Sequence, residues 1–192
     1  MDTNNVGTYH LAANPALYEP QRNNNFEFVV TDINNILRAG VNGTEANARI
    51  QNAQEILRMS VVKAPIPHFS QGTIEIRRGN NRIYAAGVPE FKAGQLVVND
   101  FIGADTKAIL MAWQNLSYNQ ANETVGSMSE YKKKCYLIEY TPDYKKVRQW
   151  VLYGCWISDI TEDDYDNESN NKKQVQATIT YDRGCIDYSD LE

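Results

Sequence analysis

Alternation of apolar and polar positions is the commonest pattern in this sequence, and it predicts strands. It is clearest near the C-terminus, where Val175, Ala177 and Ile179 alternate with polar residues. Successive side chains of a strand point to opposite faces, so such a segment has one buried face and one solvent face. We predict strands over 26–30, 54–63, 95–99, 134–140, 148–157 and 175–181, the second preceded by a helical turn near 45–52.

A hairpin is predicted where two further alternating segments, 73–78 and 82–86, flank Gly79, Asn80 and Asn81. Upstream, Pro65 and Pro67 interrupt the strand pattern because proline has no backbone donor for a sheet. Their neighbours Ile66 and Phe69 are then apolar residues outside any strand. Exposed apolar residues mark interaction sites, so we expect loop 63–73 to project from the body.

Only one segment has clear helical periodicity. Ile109, Ala112, Trp113 and Leu116 follow the spacing of an amphipathic helix, and Asp105 is its candidate N-cap. We therefore predict a helix over 105–118 with Trp113 buried. Many short strands with one helix predict a mainly β fold, a sandwich or barrel with one flanking helix. We expect 26–192 to form this single domain and 1–25 to be an extended arm.

Composition narrows the function classes. The chain has 192 residues, enough for one core, and a net charge of −5, which excludes a basic surface built to hold nucleic-acid phosphates. No stretch approaches the length of a membrane span, and the N-terminus has no secretory signal pattern, so we expect no membrane contact. Three widely spaced cysteines fit a reducing compartment.

Catalytic, metal-binding and cofactor signatures are weak, and we expect no enzyme activity and no cofactor. His10 and His68 are far apart, and no local motif holds either against a nucleophile. Cys135, Cys155 and Cys185 form no C-x-x-C pair, and burial as small apolar side chains explains them better than zinc binding.

Two charged runs remain as candidate contact sites. Asp164, Asp166 and Glu168, with Asp163 beside them, have the alternate spacing of a calcium loop but lack its glycine and its distant glutamate. A solvated acidic loop, or an acidic lining together with Asp159 and Glu162, is the alternative. Lys132 and Lys133 are either solvated strand ends or a contact to the acidic loop of a neighbouring subunit.

A family resemblance rests on the order of several motifs. Arg82-Ile83-Tyr84-Ala85-Ala86-Gly87 precedes a strand that ends in Asn99-Asp100, and a helix with Trp113-Gln114 follows. Then come Glu130-Tyr131-Lys132-Lys133, the segment Gly154-Cys155-Trp156, and the alternating strand to Tyr181. Over 26–182 this order resembles the tail tube proteins of contractile-tailed bacteriophages, whose fold type VI secretion tube proteins share.

The resemblance implies a structural virion protein. Family members join sheets edge to edge in rings of six, and the rings stack into the inner tail tube, the channel for genome ejection. It implies as partners other copies of this chain, the tail sheath, baseplate and tail terminator proteins, and double-stranded DNA that passes without specific binding. The expected location is the tail of the virion, assembled in the host cytoplasm.

In a tube of this kind, we expect the candidate residues singled out above by their sequence pattern to have two roles. Pro65, Ile66, Pro67, Phe69, Lys132 and Lys133 would contact adjacent subunits. Asp163, Asp164, Asp166 and Glu168 would line the channel or its loops. A ring of six copies carries six times the net charge of −5. An acidic wall repels a polyanion, so DNA would slide rather than adhere.

Two alternatives remain open. One is the tube of a secretion system or of an extracellular contractile-injection particle, which shares the fold. The other is a monomeric β-sandwich that binds a ligand, with tryptophans as stacking platforms. Trp113 lies on the apolar face of the predicted helix, and Trp150 and Trp156 have the even spacing of residues on one face of a strand. Both patterns favour packing in the core over ligand binding.

Overall fold

The computed structural model describes residues 20–34, 52–162 and 171–188, and it is mainly β. The strands are β1 (Phe26–Val30), β2 (Val61–Lys63), β3 (Phe69–Arg78), β4 (Asn81–Phe91), β5 (Gly94–Asn99), β6 (Tyr118–Asn119), β7 (Thr124–Val125), β8 (Lys133–Tyr140), β9 (Lys146–Glu162), β10 (Gln174–Thr180) and β11 (Arg183–Asp187). The helices are α1 (Ala53–Ser60), α2 (Thr106–Asn115) and α3 (Met128–Tyr131). The helical turn predicted near 45–52 and most of the predicted arm lie outside the described residues.

One antiparallel sheet forms the body. Its strand order is β1-β8-β9-β10-β5-β2, with β11 also paired to β9. The first part of β9 pairs with β8 and β11, and its last part pairs with β10. The strand β9 therefore joins two halves of the sheet, one with β1, β8 and β11 and the other with β10, β5 and β2. The two halves fold around a shared interior.

The core lies between the two halves of the sheet and the helices α1 and α2. It takes side chains from five strands and both helices, and the largest fully buried ones include Trp113, Phe28, Leu57, Leu96, Ile109, Leu152 and Ile179. Asp105 caps α2 as predicted, since its Oδ1 accepts a hydrogen bond from the Ala108 amide at 2.8 Å. The predicted sandwich with a flanking helix is confirmed.

The strand predicted over 54–63 is wrong in its first part. Residues Ala53–Ser60 form α1, and only Val61–Lys63 is a strand. Ala53, Leu57 and Ser60 are buried one helical turn apart, while Met59 is 76% exposed. The alternation of Leu57, Met59 and Val61 was misleading because the same residues also fit a helix that ends at residue 60.

The alternation of β9 shifts by one residue at Gly154. Leu152 faces the core before this point, and Cys155 and Ile157 face it afterwards. Gly154 has φ +68°, and a Cβ here would overlap the carboxylate of Asp182. Trp156 therefore lies on the opposite face, packed against the ring of Tyr131, and the prediction that it shares a face with Trp150 is wrong.

Candidate assembly surface

The β3–β4 hairpin stands apart from the body. Its two strands form a separate two-stranded sheet, with Arg78 paired to Asn81 across the turn and Phe69 paired to Phe91 at the base. Beyond pairing with each other, they make no extended contact with another described helix or strand. The predicted hairpin is confirmed and is longer than the sequence indicated, because β3 begins at Phe69 and so includes the last five residues of the predicted loop 63–73.

One face of this hairpin is apolar and exposed. Ile74 pairs with Ala85, and Ile76 pairs with Ile83, so these four side chains share a face. Ile74, Ile76 and Ile83 are 54%, 47% and 45% exposed. An isolated two-stranded hairpin is marginally stable in water, so a surface of this kind is built to be covered.

The other face of the hairpin is polar. It carries the pairs Glu75–Tyr84 and Arg77–Arg82. Two arginines directly opposite each other repel, and Glu75 relieves this because its Oε1 lies 3.3 Å from Nε of Arg77 and 3.4 Å from Nε of Arg82. Glu75 therefore pairs with both arginines on this face, whereas no described helix or strand covers the apolar face.

The body holds the base of the hairpin through aromatic rings. The rings of Phe69 and Phe91 are 5.6 Å apart, and the rings of Phe91 and Tyr181 are 6.1 Å apart. Tyr181 also receives a hydrogen bond from the His68 amide at 3.2 Å. These contacts fix where the hairpin leaves the body.

The two prolines before the hairpin belong to the subunit interior. Pro65 and Pro67 are buried, and each lies against a glycine, Gly94 and Gly184 respectively, that has no room for a Cβ. Ile66 between them is 57% exposed. Of the contact residues predicted in this segment, Ile66 and Phe69 therefore present exposed side chains, and their contact with another subunit stays a prediction.

Of the two predicted basic contact residues, Lys132 already has an acidic partner within the subunit. Lys132 binds both carboxylate oxygens of Asp182 at 2.8 Å, and Lys133 begins β8 as a half-buried residue opposite Cys155. Lys132 is therefore a link between α3 and the end of β10. Its proposed contact to a neighbouring subunit is untested.

The acidic run Asp163, Asp164, Asp166 and Glu168 lies outside the described residues. At its edge, Glu162 accepts a hydrogen bond from Lys107 at 2.9 Å and is 3.7 Å from Nζ of Lys173. Asp159 is exposed near the end of β9. The channel-lining role predicted for these carboxylates stays a prediction.

A second exposed apolar surface, which the sequence analysis missed, follows β5. Loop 100–105 places Phe101 and Ile102 between Asp100 and Asp105, and both apolar side chains are exposed, Ile102 completely. Neither aspartate has a cationic partner among the described residues. The sequence does contain a pattern that indicates this surface: an apolar pair followed by a glycine, between two aspartates and directly before a helix.

The prediction that the cysteines are buried as small apolar side chains is confirmed for two of the three. Cys135 and Cys155 are buried, whereas Cys185 is exposed on β11. Burial raises the pKa of the Cys135 thiol well above its ordinary value, so that it stays protonated. Within the described ranges no group of His, Cys, Asp and Glu side chains is arranged to hold a metal ion, and no helix is long and apolar enough to cross a membrane.

A groove of about 610 Å³ lies between β1 and the segment after β2, the two edges of the sheet. Its lining includes Phe26, Ile66 and Leu137 with the cations Lys63 and Arg148. None of the tryptophans lines it: Trp113 is buried, and Trp150 donates its indole hydrogen bond to Glu139 at 2.9 Å. The ligand-binding alternative with tryptophan platforms therefore has no support from this groove.

The fold resembles chains of contractile injection assemblies in solved structures. A chain from the PVC sheath/tube terminator of an extracellular contractile injection system in the extended state is 18% identical, with TM-score 0.57, over 88% of this chain and 97% of that one. A chain from the PVC sheath-tube complex is 17% identical, with TM-score 0.57, over 90% and 94%. A chain from the tube-terminating cap of the anti-feeding prophage is 16% identical, with TM-score 0.56, over 88% and 91%.

No family model matches the sequence, and no curated protein matches it. At this low identity the structural likeness establishes the fold, and the predicted tail tube fold is confirmed at that level. The likeness spans nearly the whole of each matched chain, so it concerns the complete domain and not a shared fragment.

Proposed function

We propose that this chain is a structural subunit of the inner tube of a contractile injection particle. The observation that carries the proposal is the β3–β4 hairpin, whose apolar face has no covering partner among residues 20–34, 52–162 and 171–188. Exposed apolar surface of this extent is costly for a monomer and useful for a protein that assembles with itself.

In the finer form of the proposal, six copies close a ring and the rings stack. A sheath would surround the tube, and a baseplate and a terminator would bound it, as the resemblance implies. The phage reading adds genome ejection from a virion tail assembled in the host cytoplasm. The extracellular-injection reading replaces the genome with another cargo, and the matched PVC and anti-feeding prophage assemblies favour it.

Electron microscopy of the purified chain tests the tube itself. We expect rings of constant bore and stacks of such rings. A chain that stays a small monomeric particle across a wide concentration range contradicts the proposal. A chain that forms single rings and never stacks fits a terminating cap better than a tube.

Binding of duplex DNA by assembled tubes tests whether the channel is a passive conduit. A wall that neutralises several phosphates binds with a steep dependence on salt, whereas an acidic wall does not bind. We expect no DNA binding at about 0.15 M salt, because the chain carries a net charge of −5. Tight binding under these conditions contradicts passive conduction and leaves the tube assignment intact.

A further inference from the structure

We propose that residues 14–19 pack into the groove between β1 and the segment after β2 of their own copy. The groove is the one that Phe26, Ile66 and Leu137 line, and its occupant is the stretch of chain directly before the first described residue, Pro20. The inference goes beyond the proposed function, because it concerns the single subunit and holds whether or not copies assemble.

The groove is large and partly apolar. At about 30 Å³ for each water, its volume of about 610 Å³ equals that of roughly 20 water molecules. Val62 and Ile66 in its lining are 44% and 57% exposed. The strands that border it, β1 and β2, each pair on one side only, with β8 and β5. An edge strand beside open apolar surface is a feature that proteins usually cover with another part of the chain.

The N-terminal part of the chain begins at this groove. Gln21 and Arg22 both belong to its lining. The Asn25 amide donates a hydrogen bond to the Arg22 carbonyl at 3.3 Å, which closes a turn directly before β1. Gln21 Nε2 also donates to the Tyr140 carbonyl at 2.8 Å and fastens this point to β8. Because the turn reverses the chain, the residues before it are directed back along β1.

The length and apolar content of the segment suit the groove. Leu17 and Tyr18 lie between Pro15 and Pro20, and proline is tolerated at the ends and edges of sheets, where its missing donor is not needed. At about 3.3 Å per residue, the four residues between the prolines span about 13 Å. The five residues of β1 span about 17 Å on the same scale, so the segment fits beside this strand.

Charge also favours this occupant. The groove is lined by three cations and one carboxylate, and that carboxylate, Glu139, already accepts hydrogen bonds from Trp150 and Arg148. Lys63 and Arg22 have no acidic partner among the described residues. Residues 1–19 contain two acids, Asp2 and Glu19, and no lysine or arginine. Glu19 therefore brings the charge that complements the rim of the groove.

A tethered segment is favoured over a second copy. The acidic run 163–168 of another copy also has the complementary charge and an aromatic residue. Glu19, however, is joined to the groove through Pro20 and Gln21, and a short tether gives an effective concentration in the millimolar range. Below millimolar protein, the segment of the same copy occupies the groove first.

Photo-crosslinking in the full chain tests the occupant. Benzoylphenylalanine in place of Ile66 should form a link that tandem mass spectrometry places at residues 14–19 of the tryptic peptide 1–22. Benzoylphenylalanine in place of Val125 is the control, since Val125 is 80% exposed and does not line the groove. Links only to residues 20–22, links to 163–168, or the absence of a link from position 66 overturn the inference.

Mixing isotope-labelled and unlabelled protein before irradiation distinguishes the same copy from a neighbour. We expect both crosslinked peptides to carry the same label in dilute protein. Links between differently labelled copies overturn the same-copy contact. Because dilute protein is used, the result does not depend on whether the chain forms tubes.

Substitutions in the segment test which residues enter the groove. Leu17→Asp should lower the yield of the position-66 crosslink at least about tenfold, whereas the matched change Leu11→Asp, outside the segment, should leave it nearly unchanged. Glu19→Lys should lower the yield about two- to fivefold, and adding Lys63→Glu should restore it, because an exposed pair of opposite charges re-forms. Equal yields for Leu17→Asp and Leu11→Asp overturn the packing of 14–19, and a double variant that restores nothing overturns the pairing of Glu19 with Lys63.

Discussion

The β3–β4 hairpin and the β5–β10 pair carry the same alternation of apolar and polar residues, with opposite outcomes. In β5 and β10, Leu96, Val98 and Ala177 are completely buried under α1, α2 and the other half of the sheet. In the hairpin, Ile74 and Ile76 are about half exposed because no helix or strand in the described part of the chain covers them. Alternation therefore predicts an apolar face, and topology decides whether the same chain covers it.

The largest loss of stability is expected from a substitution in the covered region, the core under α2. Trp113 on α2 is 1% exposed, and its indole donates a hydrogen bond to the Tyr131 carbonyl at 3.0 Å. We expect Trp113→Ala to lower the free energy of unfolding by about 3–5 kcal/mol, because a cavity forms and the Tyr131 carbonyl loses its donor. Chemical denaturation measures the loss, and an unchanged midpoint would show that Trp113 does not stabilise the core.

Two glycine-to-alanine substitutions distinguish the energetic cost of a steric clash from the cost of backbone strain. Gly154 in the body and Gly79 in the hairpin turn have φ of +68° and +61°, but only a Cβ at position 154 meets neighbouring atoms. We expect Gly79→Ala to cost about 1 kcal/mol and Gly154→Ala about 1–3 kcal/mol more. Equal losses in urea denaturation would mean that Asp182 moves aside without cost.

The elements that the sequence predicts well have local causes. The strand pattern around Ile179, the cap at Asp105 and the apolar stripe through Trp113 each depend on neighbours within a few residues, and each is confirmed. The hairpin turn at Gly79 belongs to the same group. Local patterns suffice where the local choice and the fold agree.

The elements that the sequence misses depend on distant partners. The shift of β9 at Gly154 becomes visible only when Asp182 is placed beside it, and the burial of Pro65 depends on the missing Cβ of Gly94. The helix α1 was taken for a strand because its buried residues meet α2 and β5, which the segment itself does not reveal. For the same reason, the sequence alone did not reveal that Pro65 and Pro67 are buried while Ile66 and Phe69 are exposed.

The anchor between hairpin and body can be probed by pH. Burial raises the pKa of the Tyr181 hydroxyl above its ordinary value of 10.0. The unfolded chain then loses this proton first, so the stability contributed by the neutral hydroxyl is complete below about pH 10 and declines as the pH rises through the folded-state pKa. Urea midpoints at about pH 9 and 11 should differ less for Tyr181→Phe than for the parent. An identical pH dependence of the two proteins would contradict this role of Tyr181.

The smallest expected effect on stability is at the uncovered face. Ile76→Thr keeps the β-branched shape that strands favour and removes apolar surface that, within the described ranges, only the paired strand β4 contacts extensively. We expect the free energy of unfolding of the monomer to change by less than about 0.5 kcal/mol, as for other exposed substitutions. The matched change Val98→Thr, at a completely buried position of β5, places a hydroxyl in the core and should cost about 1–3 kcal/mol. Urea denaturation of both variants at a concentration too low for assembly makes the comparison. Similar losses for the two variants would mean that the hairpin face is already covered within the subunit, and the argument for a partner copy would fail with it.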